Sequence, residues 1–301
     1  MTWDQRSGQF KLGDVKTLSG EILPDAVLSW KAHGRLNAAR DNVILYPTSY
    51  GAQHPDLEWL IHPDGVLDPT RWFIVIPDMF GIERLACVYG WSMGAQQAYH
   101  WAALFPDQVA RIVVNCGSAR TAVHNKVFLL SLMATLEAAP EHLGNGRFSS
   151  QPKAAMRAFG RIYAAWALSQ DFYRAGLHLS ALKAPDLETF LRTDWEERFG
   201  RRAAADLYAQ LRCWHAGDIS ANPQYNGDLA AALRAIKARV LLMPGETDLY
   251  FRVADNEAEL PYLRDAELCP IPSIWGHRAG NPALNPEDTA FIKAQVRRWL
   301  V

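Results

Sequence analysis

The chain has 301 residues, of which 49% are hydrophobic and 21% charged, with a net charge of −1. That composition supplies a core for one large domain, or for a domain with an inserted cap, and excludes a disordered chain. It offers no basic face for nucleic acid, and no apolar run approaches membrane-spanning length.

The opening residues, MTWDQRSGQFKLGD, lack the basic-then-apolar pattern of a signal peptide, so a cytoplasmic protein is expected. Within the first forty residues, DAVLSWKAHGRL alternates like a strand and ends in a glycine turn, which predicts an antiparallel pair. NVILYPTSYGAQH then reads as a short buried strand running into a loop. RWFIVIPDMFG, RLACVYGWS, ARIVVNCGSAR and ARVLLMPGETD repeat the pattern, and AELCPIPSIWGH is the last predicted strand. MGAQQAYHWAALFPDQVA is helical up to Pro106, with Ala98, Trp101, Ala102 and Phe105 at helical spacing. NPEDTAFIKAQVRRWLV is an amphipathic helix capped by Asn285, with Pro286 at its first position.

Strands alternating with helices give an α/β fold built on a mostly parallel sheet. From Gly117 to about Ala238 the chain turns rich in Ala, Leu, Arg and aromatic residues with helical periodicity. This predicts a helical cap over 118–237, inserted into a core of 1–117 and 238–301. HLGNGRFSSQP is the clearest loop, and GDISANPQYNGDLAAAL is expected to return the chain from cap to core. The cysteines Cys87, Cys116, Cys213 and Cys269 are scattered and read as free thiols. The histidines form no zinc-binding pair, and neither a metal nor a cofactor is expected.

One place resists this scheme. FIVIPD ends near Asp78 and LACVYG begins near Leu85, and MFGIER between them is too short for a crossover between neighbouring parallel strands. A missing crossover segment is therefore expected at the Gly81–Ile82 junction.

Gly90, Trp91, Ser92, Met93 and Gly94 form a GxSxG sequence between a strand pattern and a helix pattern. That context is a nucleophile elbow, a tight turn that exposes the serine hydroxyl while glycines let strand and helix approach. A serine hydroxyl needs a base, and this order of elements supplies an acid and then a histidine. Asp248 follows the Pro-Gly turn of VLLMPGETDLYF, with Glu246 as the competing acid. His277 lies in the glycine-flanked loop IPSIWGHRAGNP. Ser92, Asp248 and His277 are the expected nucleophile, orienting acid and general base. The oxyanion hole is expected from the N–H of Met93 and one from Thr48 or Ser49.

YGWSMGAQQAYHWAALFPDQVARIV, LMPGETDLYF, WGHRAGNP and DGVLDPTRWFIVIPDMFG resemble the homoserine O-acetyltransferase branch of the α/β-hydrolase superfamily. The resemblance covers most of the core and is weaker in the cap. It implies an α/β-hydrolase fold, an acyl-serine intermediate and a homodimer built through the cap. Trp91 and Ala95 stand where acetyltransferases of the branch carry glycine, which makes the chain more similar to esterase-like members. Arg161 is the nearest match to the arginine that holds an amino-acid carboxylate in the acetyltransferases, and Trp91 is a second residue expected at the substrate. The expectation is a serine hydrolase of small acetyl or short-chain esters. Its alternatives are an O-acyltransferase using acetyl-CoA and homoserine, and a non-catalytic binding protein on the same scaffold.

Overall fold

In the computed structural model, which describes residues 2–17, 20–76 and 84–301, the strands are β1 (Gln5–Lys16), β2 (Ile22–His33), β3 (Val43–Leu45), β4 (Phe73–Ile76), β5 (Cys87–Trp91), β6 (Arg111–Asn115), β7 (Arg239–Met243) and β8 (Ala266–Leu268). They form one sheet in the order β1-β2-β4-β3-β5-β6-β7-β8. β1 and β2 pair antiparallel, β2 meets β4 antiparallel, and every other pairing is parallel.

The parallel strands are buried on both faces, which is why their sequences are almost continuously apolar. The period-2 alternation sorts them nonetheless. Ile44, Cys87, Tyr89, Val113 and Leu241 join one apolar cluster, whereas Val43, Leu45, Val88, Ile112 and Leu242 join the other. The first cluster takes in Ile292, Val296 and Trp299 of the C-terminal helix Pro286–Trp299, and the second takes in Ala98 and Ala102 of the helix Met93–Leu104. The Asn285 side chain caps the C-terminal helix by accepting from the Glu287 and Asp288 N–H groups.

Between β6 and β7 the described residues form no strand. Helices Val123–Glu137, Lys153–Ala167, Ala204–His215 and Leu229–Ala235 dominate this region. Their aromatic side chains join the cluster on the C-terminal helix side, Phe128, Phe159 and Trp214 among them. Arg120 Nε pairs with Asp218 at 2.6 Å, and the Thr121 N–H donates to the Gly217 carbonyl at 2.8 Å, so the stretches just before and after these helices lie side by side. Asp228 caps the helix Leu229–Ala235 by accepting from the Ala231 N–H, so GDISANPQYNGDLAAAL serves as clasp and helix start.

The sequence predicts β4 and β5 as neighbours, and the sheet corrects this: β3 lies between them and pairs with both. The sequential order of two strands carries no information about which third strand is inserted between them. The Gly81–Ile82 junction lies outside the described residues.

Candidate active site

Ser92 sits at the end of β5 as the residue before the helix Met93–Leu104, with φ 59° and ψ −128°. A non-glycine residue rarely adopts this conformation, at a cost of about 1–3 kcal/mol, so its surroundings must impose it. The Ser92 N–H donates to the Asn115 carbonyl of β6 at 3.0 Å, and the Ser92 carbonyl accepts from the Ala95 and Gln96 N–H groups at 2.9 and 3.2 Å. A Cβ on Gly90 would lie 2.1 Å from the Gly94 carbonyl oxygen, so only glycine permits the turn to close.

The three expected partners converge. His277 Nε2 lies 2.8 Å from Ser92 Oγ, and His277 Nδ1 lies 2.6 Å from Asp248 Oδ2. All three residues are buried. The other carboxylate oxygen of Asp248 accepts from the N–H groups of Tyr250 and Phe251 at 2.7 and 3.3 Å. The residues LYF after Asp248 thus supply its donors through their backbone. The carboxylate of Glu246 has no bond to His277; its backbone N–H donates to the Ile271 carbonyl instead. The imidazole is clamped by rings. Trp91 stacks on it at 5.2 Å and 26°, and Tyr250 meets it edge-on at 4.8 Å.

Cys116, Asp248 and His277 form the one grouping of three metal-capable side chains among the described residues, within 4.8 Å of one another. The histidine and aspartate atoms are bonded to each other. Burial, then the charge of Asp248, pushes the Cys116 thiol well above its ordinary value, which keeps it protonated and a poor metal ligand.

A cavity of about 420 Å³ opens on this group and is lined by Ser92, His277, Trp91 and Ser49. Ser49 is buried and its hydroxyl has no partner among the described residues. Thr48 is not in the cavity wall; its carbonyl accepts from Gln97 Nε2 at 2.9 Å, which ties this loop to the helix that begins at Met93. Arg161 is not in the cavity wall either. It pairs with Glu188 and Glu196, the latter at 2.5 Å. The basic lining comes instead from Arg198, Arg201, Arg202 and Arg278. The sequence analysis singles out none of these; Arg278 carries the one available signal, since it follows His277 directly.

Behind the site, Glu259 accepts from the Tyr99 hydroxyl and the Ala119 N–H, both at 2.7 Å, and from Asn256 Nδ2 at 3.0 Å. These bonds join the helix after Asp248 to the helix after Ser92 and to the loop after β6. Burial outweighs the three donors and pushes the Glu259 carboxyl up to about 7. The folded state therefore holds a proton that the unfolded chain, ionising near 4.5, releases. The stability this contributes is complete below about pH 4.5 and is lost as pH rises towards 7, on the order of 3 kcal/mol in all. Glu259→Gln is expected to remove that decline, read as the difference in Tm between parent and variant across the window. A constant difference would show that Glu259 does not titrate there.

A family profile described as the alpha/beta hydrolase fold matches residues 64–265. The chain is 29% identical to the ethyl acetate hydrolase of Pseudomonas veronii over 319 aligned positions, covering 91% of this chain and 90% of that protein. Homoserine O-succinyltransferase of Paraburkholderia phymatum is 23% identical, with 88% of this chain and 89% of that protein covered. The solved structure of the acetyl esterase MekB superposes with a TM-score of 0.91 at 27% identity, covering 98% of this chain and 96% of the other. With the sheet order, the turn at Ser92 and these matches together, the chain belongs to the alpha/beta hydrolase fold family.

Proposed function

We propose that the protein is a serine carboxylester hydrolase that cleaves small acetyl or short-chain esters through an acyl-serine intermediate. The observation that carries this reading is the hydrogen-bonded chain from Ser92 Oγ through His277 to Asp248, at 2.8 and 2.6 Å, opening on a small cavity. His277 Nε2 takes the Ser92 proton as Oγ attacks the ester carbonyl, and Asp248 steadies the imidazolium. His277 then protonates the departing alcohol, and water repeats the sequence on the acyl-serine. The oxyanion meets the N–H of Met93 at the helix start and one from the Thr48–Ser49 stretch. The Gln97 bond to the Thr48 carbonyl supports that placement. Trp91 holds the imidazole plane and floors the cavity.

The similarity to an ethyl acetate hydrolase favours water as the acceptor, and the weaker similarity to a homoserine acyltransferase sustains a second reading as an O-acyltransferase. A chromogenic acetyl ester distinguishes them. Hydrolysis that homoserine leaves unchanged is expected. Faster release with formation of O-acetylhomoserine would move the protein to the transferases, and no turnover under either condition would remove both readings.

The same reading divides the chain into the core 1–117 and 238–301 and the cap 118–237, and makes it a cytoplasmic homodimer. Val123, Val127 and Leu130 are exposed at helical spacing on Val123–Glu137, which supports a contact through the cap. A sedimentation mass of a single chain in solution would contradict it. The alignment with the ethyl acetate hydrolase has 319 positions against the 301 residues of this chain, so that relative carries residues without counterparts here. We assign the absent crossover segment at Gly81–Ile82 to such residues; an alignment that inserts all of them elsewhere would refute it.

A further inference from the structure

Two ion pairs and two arginines unpaired among the described residues, Arg198 and Arg201, share the cavity wall with Ser92. Arg278 pairs with Asp194 at 2.5 Å and lies 4.6 Å over the Trp195 ring. Arg202 pairs with Asp56 at 2.9 Å. Arg198 lines the same cavity and has no hydrogen-bond or carboxylate partner among the described residues. The charges around it, Arg278, Asp194, Asp56 and Arg202, cancel in those two pairs, so its own charge is left uncompensated.

The local backbone explains the placement. Leu191–Glu196 is a π-helical stretch that runs into the short helix Glu197–Gly200. Such widened turns re-aim side chains and recur at functional sites. Here the segment delivers Asp194, Trp195 and Arg198 to the cavity, while Glu196 turns away to Arg157 and Arg161. Glu196, which could otherwise have neutralised Arg198, is thus engaged outside. Arg198 is exposed as a residue, yet burial of its charge first and the neighbouring Arg278 second hold its pKa below the ordinary arginine value. An anion entering the cavity would relieve both costs.

We infer that Arg198 is a specificity-determining residue that binds a carboxylate carried by the ester substrate. The inference rests on the ester-hydrolase reading and deepens it by naming the substrate class. The planar guanidinium fork matches a carboxylate through two parallel hydrogen bonds. A cavity of about 420 Å³ containing both Ser92 and Arg198 suits a small ester with one such group.

Three esters test it: ethyl acetate, which is neutral; acetoxyacetate, with its carboxylate on the alcohol side; and monoethyl succinate, with its carboxylate on the acyl side. The parent enzyme is expected to prefer one of the anionic esters and to show a KM for it that rises with salt. Arg198→Gln is expected to lower kcat/KM for that ester about tenfold or more beyond any change for ethyl acetate, mainly through KM, and Arg198→Lys is expected to restore part of the loss. Equal changes for all three esters in Arg198→Gln, or no anionic preference in the parent, would overturn the assignment while leaving the hydrolase intact. Failure of the parent to hydrolyse any of the three would remove the hydrolase reading and this inference with it.

Discussion

Replacing Ser92 with alanine is expected to lower kcat for a chromogenic acetyl ester by about four to six orders of magnitude, with little change in the thermal transition. Ser92 Oγ is bonded to His277 Nε2 alone, so its removal leaves an imidazole with no proton to take and a carbonyl with nothing to attack it. The fold should tolerate the change. The conformation at φ 59° is imposed by backbone bonds that alanine retains, and alanine is as uncomfortable there as serine. Glycine is not, so Ser92→Gly is expected to be equally inactive and more stable by about 1 kcal/mol, a few degrees in Tm. That pair of results would show the residue is kept at this turn for chemistry and against stability. Undiminished turnover in Ser92→Ala would place the nucleophile elsewhere.

Asp248→Asn should cost about 10⁴ in kcat. The reason lies in the atoms behind the carboxylate. Oδ1 accepts from the N–H groups of Tyr250 and Phe251, so an amide in this place must turn its oxygen towards them. Its NH₂ group then faces His277 Nδ1 and can only donate. The imidazole is driven to the tautomer with its proton on Nε2, and it can no longer accept from Ser92. Binding should survive, since Asp248 is not in the cavity wall. Steady-state kinetics check this: the loss should fall on kcat with KM little changed. A loss of less than about tenfold would mean that Asp248 merely packs beside the histidine.

Much of this architecture is legible in local sequence. The buried strands announce themselves as short apolar runs because parallel strands are covered on both faces. The elbow is visible because part of its constraint is local: a Cβ on Gly90 would strike the Gly94 carbonyl, so the turn that carries Ser92 at positive φ needs glycine two positions before it. The positions of Asp248 and His277 are legible too, because each lies in the loop that follows a strand. Distance and orientation are not. Glu246 and Asp248 stand two residues apart on the same turn, and only the fold shows which carboxylate reaches His277.

The arginines mark where reading from sequence fails. Arg161 and Arg198 are both basic residues on helical segments of the same region, and their sequence contexts do not separate them. The π-helical stretch Leu191–Glu196 decides, because it sends Glu196 outward to Arg161 and leaves Arg198 unpaired in the cavity. A hydrogen-bond register of this kind is set by packing, not by residue type. The position of β3 between β4 and β5 is of the same sort. By itself the sequence determined the strand and helix alternation and the tight turn at Ser92, since those depend on contacts within a few positions along the chain. The tertiary structure alone decided the lateral order of the strands, the distances among Ser92, Asp248 and His277 and the charge lining the cavity, since those depend on residues far apart in sequence competing for one space.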